Sequence, residues 1–277
     1  MKKVLFVIAI ISISLISCGP SAKDHYDKGM ASSFAGDYEA AIAEYDKAIE
    51  MEPDNADYYY CRGLAKSDNE NYKAAIEDFS KAIELDYFDE AAAYMQRGQA
   101  KSYLDDDEGA IIDYNKSIEI DPENNSEVYL LRAISKSYIS DDYTDLINDY
   151  NKAIEINPDN GRAYYNRGLL KSDSEDFEGA IQDFNLAVQK DYQLAYYERG
   201  FAKFMLEQYQ EALLDFNLML SLDLSNENEN VDKGEIYFFR GLANLELNNL
   251  DEACSDFKNA KNFGDEDAED YMNEYCQ

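Results

Sequence analysis

The sequence predicts an all-α fold, a solenoid of stacked helical hairpins, on three observations. Within residues 91–122, Tyr94, Gly98 and Lys101 fall at helical spacing, and so do Ala110, Tyr114 and Ser117, which gives two amphipathic helices. Between them Asp105, Asp106, Asp107 and Glu108 break the apolar period and supply cap and first-turn acids, while Pro122 forbids continuation of the second helix. Copies of this hairpin recur roughly every 34 residues over nearly all of the chain beyond its first twenty residues.

At 277 residues the chain is long enough for two compact domains, but the fixed period favours one elongated array. An apolar content of 45% is that of a globular protein, so the excess of 58 acidic over 25 basic residues belongs on surfaces. A net charge of -33 excludes nucleic acid, whose phosphates need cationic partners, and favours neutral or basic protein ligands.

Taken in order, the chain opens with an address. Lys2 and Lys3 precede an apolar and serine run from Val4 to Ser17, too short to span a bilayer comfortably, so residues 1–17 read as an export signal. Leu15, Ile16, Ser17 and Cys18 resemble the lipobox of bacterial lipoproteins, which implies cleavage before Cys18 and lipidation of that cysteine. Secretory cleavage elsewhere wants small residues in a pattern not seen here, and an uncleaved anchor is the other alternative. Residues 18–23 form a short tether, and Gly19 in the second mature position points to the outer membrane. The membrane is then met only through the N-terminal lipid.

Seven hairpins follow over residues 22–264, at about 22–55, 56–90, 91–125, 126–160, 161–192, 193–224 and 235–264. A small residue marks the register of each first helix: Gly29, Gly63, Gly98, Ala133, Gly168, Gly200 and Gly241. The second helices answer with Ala41, Ala75, Ala110, Leu146, Ala180, Ala212 and Ala253, and four residues later with Tyr45, Phe79, Tyr114, Tyr150, Phe184, Phe216 and Phe257. Small residues on both helices permit close crossing, and the aromatic fills the adjoining core. Residues 224–234 are polar and turn-rich, as suits an exposed loop. In the tail, 265–277, Ala268, Tyr271, Met272 and Tyr275 keep helical spacing, as expected of a helix capping the last hairpin.

This combination resembles the tetratricopeptide repeat, with its aromatic, Gly, Ala, aromatic, Ala and closing Pro. Tyr59, Tyr94, Tyr129, Tyr164, Tyr196 and Tyr237 take the first aromatic position, Ala48, Ala82, Ala153, Ala187 and Ala260 the last small one, and Pro53, Pro122 and Pro158 close three copies. Tyr87, Tyr192 and Leu224 stand in place of the proline, and His25 in place of the first aromatic. The resemblance implies a right-handed α-solenoid that binds a protein or peptide on the face lined by its first helices.

Before each register residue stands a cation, and before each core aromatic an acid, as in Arg62 with Asp78, Arg97 with Asp113, and Arg167 with Asp183; in the first copy the pair is Lys28 with Glu44. A half-buried ion pair, with two bonds from a planar guanidinium to one carboxylate, is expected at each crossing. Whether each arginine meets the acid of its own or of the preceding hairpin stays open.

Mapped through the resemblance, the groove positions are Tyr165, Tyr197 and Phe238 three before the register residue, Phe201 and Leu242 one after, and Phe204, Met205 and Leu245 four or five after. Four after the register the chain repeats serine, at Ser33, Ser67, Ser102, Ser137 and Ser172, and then switches to Phe204 and Leu245. Clustered aromatics of this kind form a candidate contact patch for a peptide or protein. The alternatives are that the capping tail or hairpin packing buries it, or that it joins a homodimer. Family members that grip acidic C-terminal peptides use a lysine, asparagine and arginine clamp. Here Arg162 and Asn166 share a turn, but Asp27, Cys61, Gln96 and Glu198 hold the corresponding places, which disfavours that ligand.

Nothing in the sequence supports catalysis or a cofactor. The single histidine, His25, takes a structural tyrosine's place, and no phosphate-binding glycine loop, H-E-x-x-H or G-x-S-x-G occurs. Asp105 to Glu108 lack the ligand alternation of a calcium loop, so no metal is expected. Cys254 and Cys276 are positioned to pair in an oxidising envelope, although Cys254 also stands where Ile76, Ile111 and Ile181 stand in other copies, and replacement of an apolar residue is the favoured reading. The expectation is a non-catalytic interaction scaffold, with an assembly factor of an outer-membrane or secretion complex as the alternative, and an enzyme or calcium-dependent module as the rival class behind it.

Overall fold

The computed structural model describes residues 19–123, 125–140, 143–222 and 232–276. The signal segment with Cys18 and most of the 224–234 loop lie outside the described residues. Among the described residues there are fifteen helices and no strands.

The helices group into two compact units, one ending at Leu104 and one beginning at Asp105, each built of stacked hairpins in which a hairpin packs on its neighbours. The first unit holds α1 (Ala22–Phe34), α2 (Tyr38–Met51), α3 (Ala56–Asp68), α4 (Tyr72–Glu84) and α5 (Glu90–Ser102). The second holds α6 (Asp107–Ile120), α7 (Ser126–Ile139), α8 (Tyr143–Ile156), α9 (Gly161–Asp173) and α10 (Phe177–Gln189). It continues with α11 (Ala195–Met205), α12 (Tyr209–Ser221), α13 (Lys233–Glu246), α14 (Leu250–Asn262) and α15 (Ala268–Tyr275).

Many helices begin on an acid or amide that accepts a backbone N–H, among them Asp37, Asn55, Asp89, Asp106, Asn160, Asp176 and Asp232. Part of the acidic excess therefore sits at helix N-termini, where the dipole favours it. Asp106 caps α6 through Gly109 N at 3.0 Å, so the acidic run beside it is a helix start. One slot in the intra-hairpin turns is left-handed: Gly36 fills it first, at φ 77°, then Glu70, Glu175, Glu207 and Asn248 in later copies at 58–62°.

The core is built at the helix crossings. Ala75, Ala180, Ala212 and Ala253 are wholly buried, as are Phe79, Phe184, Phe216 and Phe257. A Cβ placed on Gly168 would lie 2.6 Å from Cε1 of Phe184, so only glycine admits that ring. In the fourth hairpin Ala133 and Leu146 occupy the crossing, and both are buried.

At the C-terminus α15 docks on the last hairpin. Ala268 is buried among Ala253, Phe257 and Ala260, and the Tyr271 ring lies 5.3 Å from those of Phe257 and Phe238. Cys254 and Cys276 are joined by a disulfide, with Cα atoms 5.6 Å apart, which corrects the reading of Cys254 as an apolar stand-in alone. The correction has a spatial cause: the isoleucine slot on α14 faces the end of α15, which the other hairpins lack.

Candidate functional site

The arginine before each register residue ties its hairpin to the one before. Arg62 Nε and Nη2 donate to the two carboxylate oxygens of Asp78 at 2.8 and 2.6 Å, and Nη1 reaches back to Asp46. In the second unit Arg167 repeats this with Asp183 at 2.8 and 2.6 Å, while its Nη1 donates to Asn151 at 2.6 Å. Arg132, Arg199 and Arg240 hold Asp149, Asp215 and Asp256 in the same two-bond manner, and donate backwards to Asn115, Asn185 and Asn217. In these five copies the carboxylate belongs to the arginine's own hairpin and the third bond to the preceding one.

Each of these acids is almost wholly buried, and a second donor four residues after the arginine completes it: Lys66, Lys136, Lys171 and Lys203, or Asn244 for Asp256. The guanidinium also lies over the tyrosine three residues before it, 5.1–5.6 Å from the ring centre, in six copies from Tyr59 to Tyr237. Arg97 and Asp113 belong to different units; within the first, Arg97 covers the Tyr94 ring and donates to Ser80 Oγ at 3.1 Å.

The first copy departs from the expected Lys28 pair. Glu44 is held instead by Lys47 and by His25, whose Nδ1 lies 2.6 Å from Oε2. Those two partners, Lys47 first, lower the Glu44 carboxyl to about 2. His25 stands where the other copies carry the tyrosine, and its ring nitrogen takes the carboxylate contact that the arginine makes elsewhere.

With the arginines engaged, the face of the second unit formed by α9, α11 and α13 carries the candidate groove. Tyr165 packs on Phe184 and Tyr192, with ring centres 6.0 and 4.8 Å apart, and Tyr197 packs on Phe216. Phe201 meets Phe239 edge-on at 5.0 Å, and Phe204 lies between Phe239 at 5.6 Å and Tyr209 at 5.4 Å. Phe201 and Phe204 stay half-buried, and Met205 beside them is 46% exposed. Phe238, Leu242 and Leu245 instead pack on the Phe257 cluster that also seats Tyr271 and Met272, and the Tyr271 ring of the capping helix meets Phe238 edge-on at 5.3 Å.

Phe239 is the anchor that register reasoning missed. It stands two before Gly241, where other copies carry Asp27, Cys61, Gln96 or Asn166, and only the run of aromatics from Tyr237 to Phe239 signals it. The same slot on α11 holds Glu198. Burial first, then the charges of Glu235 and Asp173, push the Glu198 carboxyl up to about 7 against an opposing hydrogen bond from Tyr165. Burial, followed by the charge of Glu235 and a hydrogen bond to it, pushes the neighbouring Tyr197 hydroxyl up strongly.

The clamp residues are engaged elsewhere: Arg162 Nη1 lies 3.3 Å from Glu127, and Asn166 donates to the Arg162 carbonyl at 2.8 Å. In the first unit an open depression of about 600 Å3 is edged by Glu52, Asp54, Asp57, Asp86 and Phe88. Its polar groups serve the turn: Asn55 caps α3 and Glu52 accepts from the Tyr58 hydroxyl at 2.9 Å. Among the described residues no group of acids, histidines and cysteines could hold a metal ion, and no helix is long and apolar enough to cross a membrane.

Comparison with known proteins agrees with this geometry. Family models described as TPR repeat match residues 35–69 and 138–172, and those described as tetratricopeptide repeat match 56–89, 91–124 and 161–191. No curated protein matches the chain. Among solved structures, a tetratricopeptide repeat protein from Parabacteroides merdae is 21% identical over 89% of this chain and 94% of its own, with a TM-score of 0.63. MamA is 26% identical over 61% of this chain and 97% of its own, with a TM-score of 0.54. YrrB, described as a TPR protein with an unusual peptide-binding site, is 23% identical over 64% of this chain and 90% of its own, with a TM-score of 0.52. The matched segments together span more than half of the residues, and those at 56–89, 91–124 and 161–191 coincide with the second, third and fifth hairpins, so the chain belongs to the tetratricopeptide repeat family.

Proposed function

We propose that this chain is a non-catalytic protein-interaction scaffold that takes a peptide or protein segment on the α9, α11 and α13 face, anchored by a lipid on Cys18 in a bacterial envelope. One observation carries the binding reading: Phe201, Phe204 and Phe239 form an edge-on aromatic row that rests on the core of Phe216 and Ile236 through Phe204 and Phe239 yet stays half-buried, with Met205 open beside it. Large rings in a partly exposed row bury much apolar area on contact at low cost in side-chain entropy.

Two further features support the reading. Repeats of this family are in general interaction scaffolds, and YrrB, which shares the fold, is described by its peptide-binding site. Export is supported by the Lys2, Lys3 and Val4 to Ser17 leader and by the Cys254–Cys276 disulfide, which persists in oxidising compartments. Localisation to the outer membrane rests on Gly19 following the lipobox-like Cys18.

The test is partner capture from envelope extracts on the purified protein beside a Phe201→Ala, Phe204→Ala double variant of unchanged helicity. Loss of a specific partner in the variant is the expected result, and an unchanged partner set would place function elsewhere. Metabolic labelling with a fatty acid, lost in Cys18→Ser, tests the anchor.

A further inference from the structure

We propose that the Cys254–Cys276 disulfide is a redox latch at the end of the groove. Closed, it holds α15 on Phe238 and Phe257. Opened, it frees that seat for an apolar stretch of the bound segment, an aromatic side chain beside a methionine or leucine. The latch stands on the packing of α15, and the use of the freed seat rests on the reading of the α9, α11 and α13 face as the binding face.

The seat adjoins the aromatic row. Phe239, which meets Phe201 edge-on at 5.0 Å, also meets Phe238 at 5.8 Å, and the Tyr271 ring of α15 lies on Phe238 at 5.3 Å. The same ring lies 5.3 Å from Phe257, and Met272 packs on the cluster that Leu242 and Leu245 also join. α15 thus sits at the end of the row as a ligand does, and Tyr271 with Met272 names the chemistry of whatever replaces it. A segment already bound along Phe201 and Phe239 reaches the freed seat as an intramolecular event, so modest contacts there suffice.

The cross-link decides whether α15 stays. At eight residues it is shorter than helices that persist in water alone. The stretch from Asp265 to Glu274 carries six acids and no cation, in a chain of net charge -33, so repulsion opposes docking. Lys261 holds Glu269 at 2.8 Å, but the pair is exposed, and such pairs contribute little. The chain ties α15 at its start through the turn at Gly264, and the disulfide ties it at its end. Closing a loop with a sequence separation of 22 shifts the seated-to-released ratio by roughly a hundredfold. Both cysteines stay partly exposed, within reach of a reductant. Opening is a thiol–disulfide exchange: a dithiol, small or carried by an oxidoreductase, gives up two electrons and two protons and becomes a disulfide, and Cys254 and Cys276 are left as thiols.

The experiment has two readouts on the full chain. Hydrogen exchange with and without dithiothreitol should show protection of the α15 amides falling about tenfold or more on reduction, and to the same level in Cys254→Ser with Cys276→Ser. Peptides selected from a random display library on that double variant should carry Phe or Tyr next to Met or Leu. They should bind it, and the reduced chain, about tenfold or more tighter than the oxidised chain. Tyr271→Ala with Met272→Ala should raise the affinity of the oxidised chain to the reduced level, and Phe238→Ala should abolish the preference. Unchanged α15 protection on reduction, or equal affinity of the two redox states, overturns the latch. Phe201→Ala with Phe204→Ala should weaken binding in both states. If it does so while the two states bind alike, the latch fails and the groove reading stands. If it weakens neither, or if no peptide is selected, the groove reading fails and the freed seat with it.

Discussion

Arg167 grips both carboxylate oxygens of Asp183, at 2.8 and 2.6 Å, while its remaining nitrogen reaches Asn151 of the preceding hairpin. One side chain thus closes its own hairpin and sets the stacking of the next. Such a pair stabilises only as a unit, because Asp183 is 2% exposed and loses its main partner if the arginine is removed.

Arg167→Leu is therefore expected to cost about 3–5 kcal/mol, read as earlier urea unfolding and faster hydrogen exchange in α9 and α10. Replacing Asp183 by leucine in the same chain should recover part of that loss. Equal cost for the single and double variants would show that the arginine acts through packing on Tyr164 alone.

Gly168→Ala sets a methyl 2.6 Å from Phe184 and should destabilise by about 1–3 kcal/mol. Coupling to Phe184→Leu checks the cause. The double variant should lose less than the sum of the two singles, since the smaller side chain vacates the collision.

Reduction of Cys254–Cys276 releases a loop with a sequence separation of 22, worth about 3 kcal/mol of constraint on α15. Hydrogen exchange should rise in α15 and in the α13 residues Phe238 and Leu242 beneath it, with little change in α9. Cys254→Ser with Cys276→Ser should show that pattern with or without a dithiol reductant.

Glu198 links stability to pH. Its folded value, about 7, lies above the ordinary 4.5, so the folded state holds the extra proton between those limits. Stability from this group accordingly falls as pH rises from about 4.5 to 7 and stays low above. Glu198→Gln should raise the urea midpoint at pH 8 and leave it nearly unchanged at pH 4. Glu44 has the opposite sign: its folded value near 2 adds stability above pH 4.5 that is lost as pH falls towards 2, and Glu44→Gln should flatten that limb.

The hairpins were legible because the contact that builds them is local and repeated: the small residue, the alanine twelve positions on and the aromatic four beyond are one physical junction. The arginine and its aspartate were legible for the same reason. What escaped the sequence depended on which neighbour fills a slot. His25 in place of Lys28 as the partner of Glu44, Asn151 as the third acceptor of Arg167, and tyrosine under each guanidinium are facts of side-chain reach. The disulfide hid behind isoleucine at the equivalent positions. Phe239 escaped because its slot varies from copy to copy, and only the packing of α13 on α11 shows its ring meeting Phe201.

Partners are expected to bind on the α9, α11 and α13 face. Photo-crosslinkers placed at Met205, 46% exposed beside the aromatic row, and at Leu214, 64% exposed on α12, test it in intact cells. A discrete adduct from Met205 that disappears with Phe201→Ala and Phe204→Ala is expected, and none from Leu214. An adduct from Leu214 alone would contradict it.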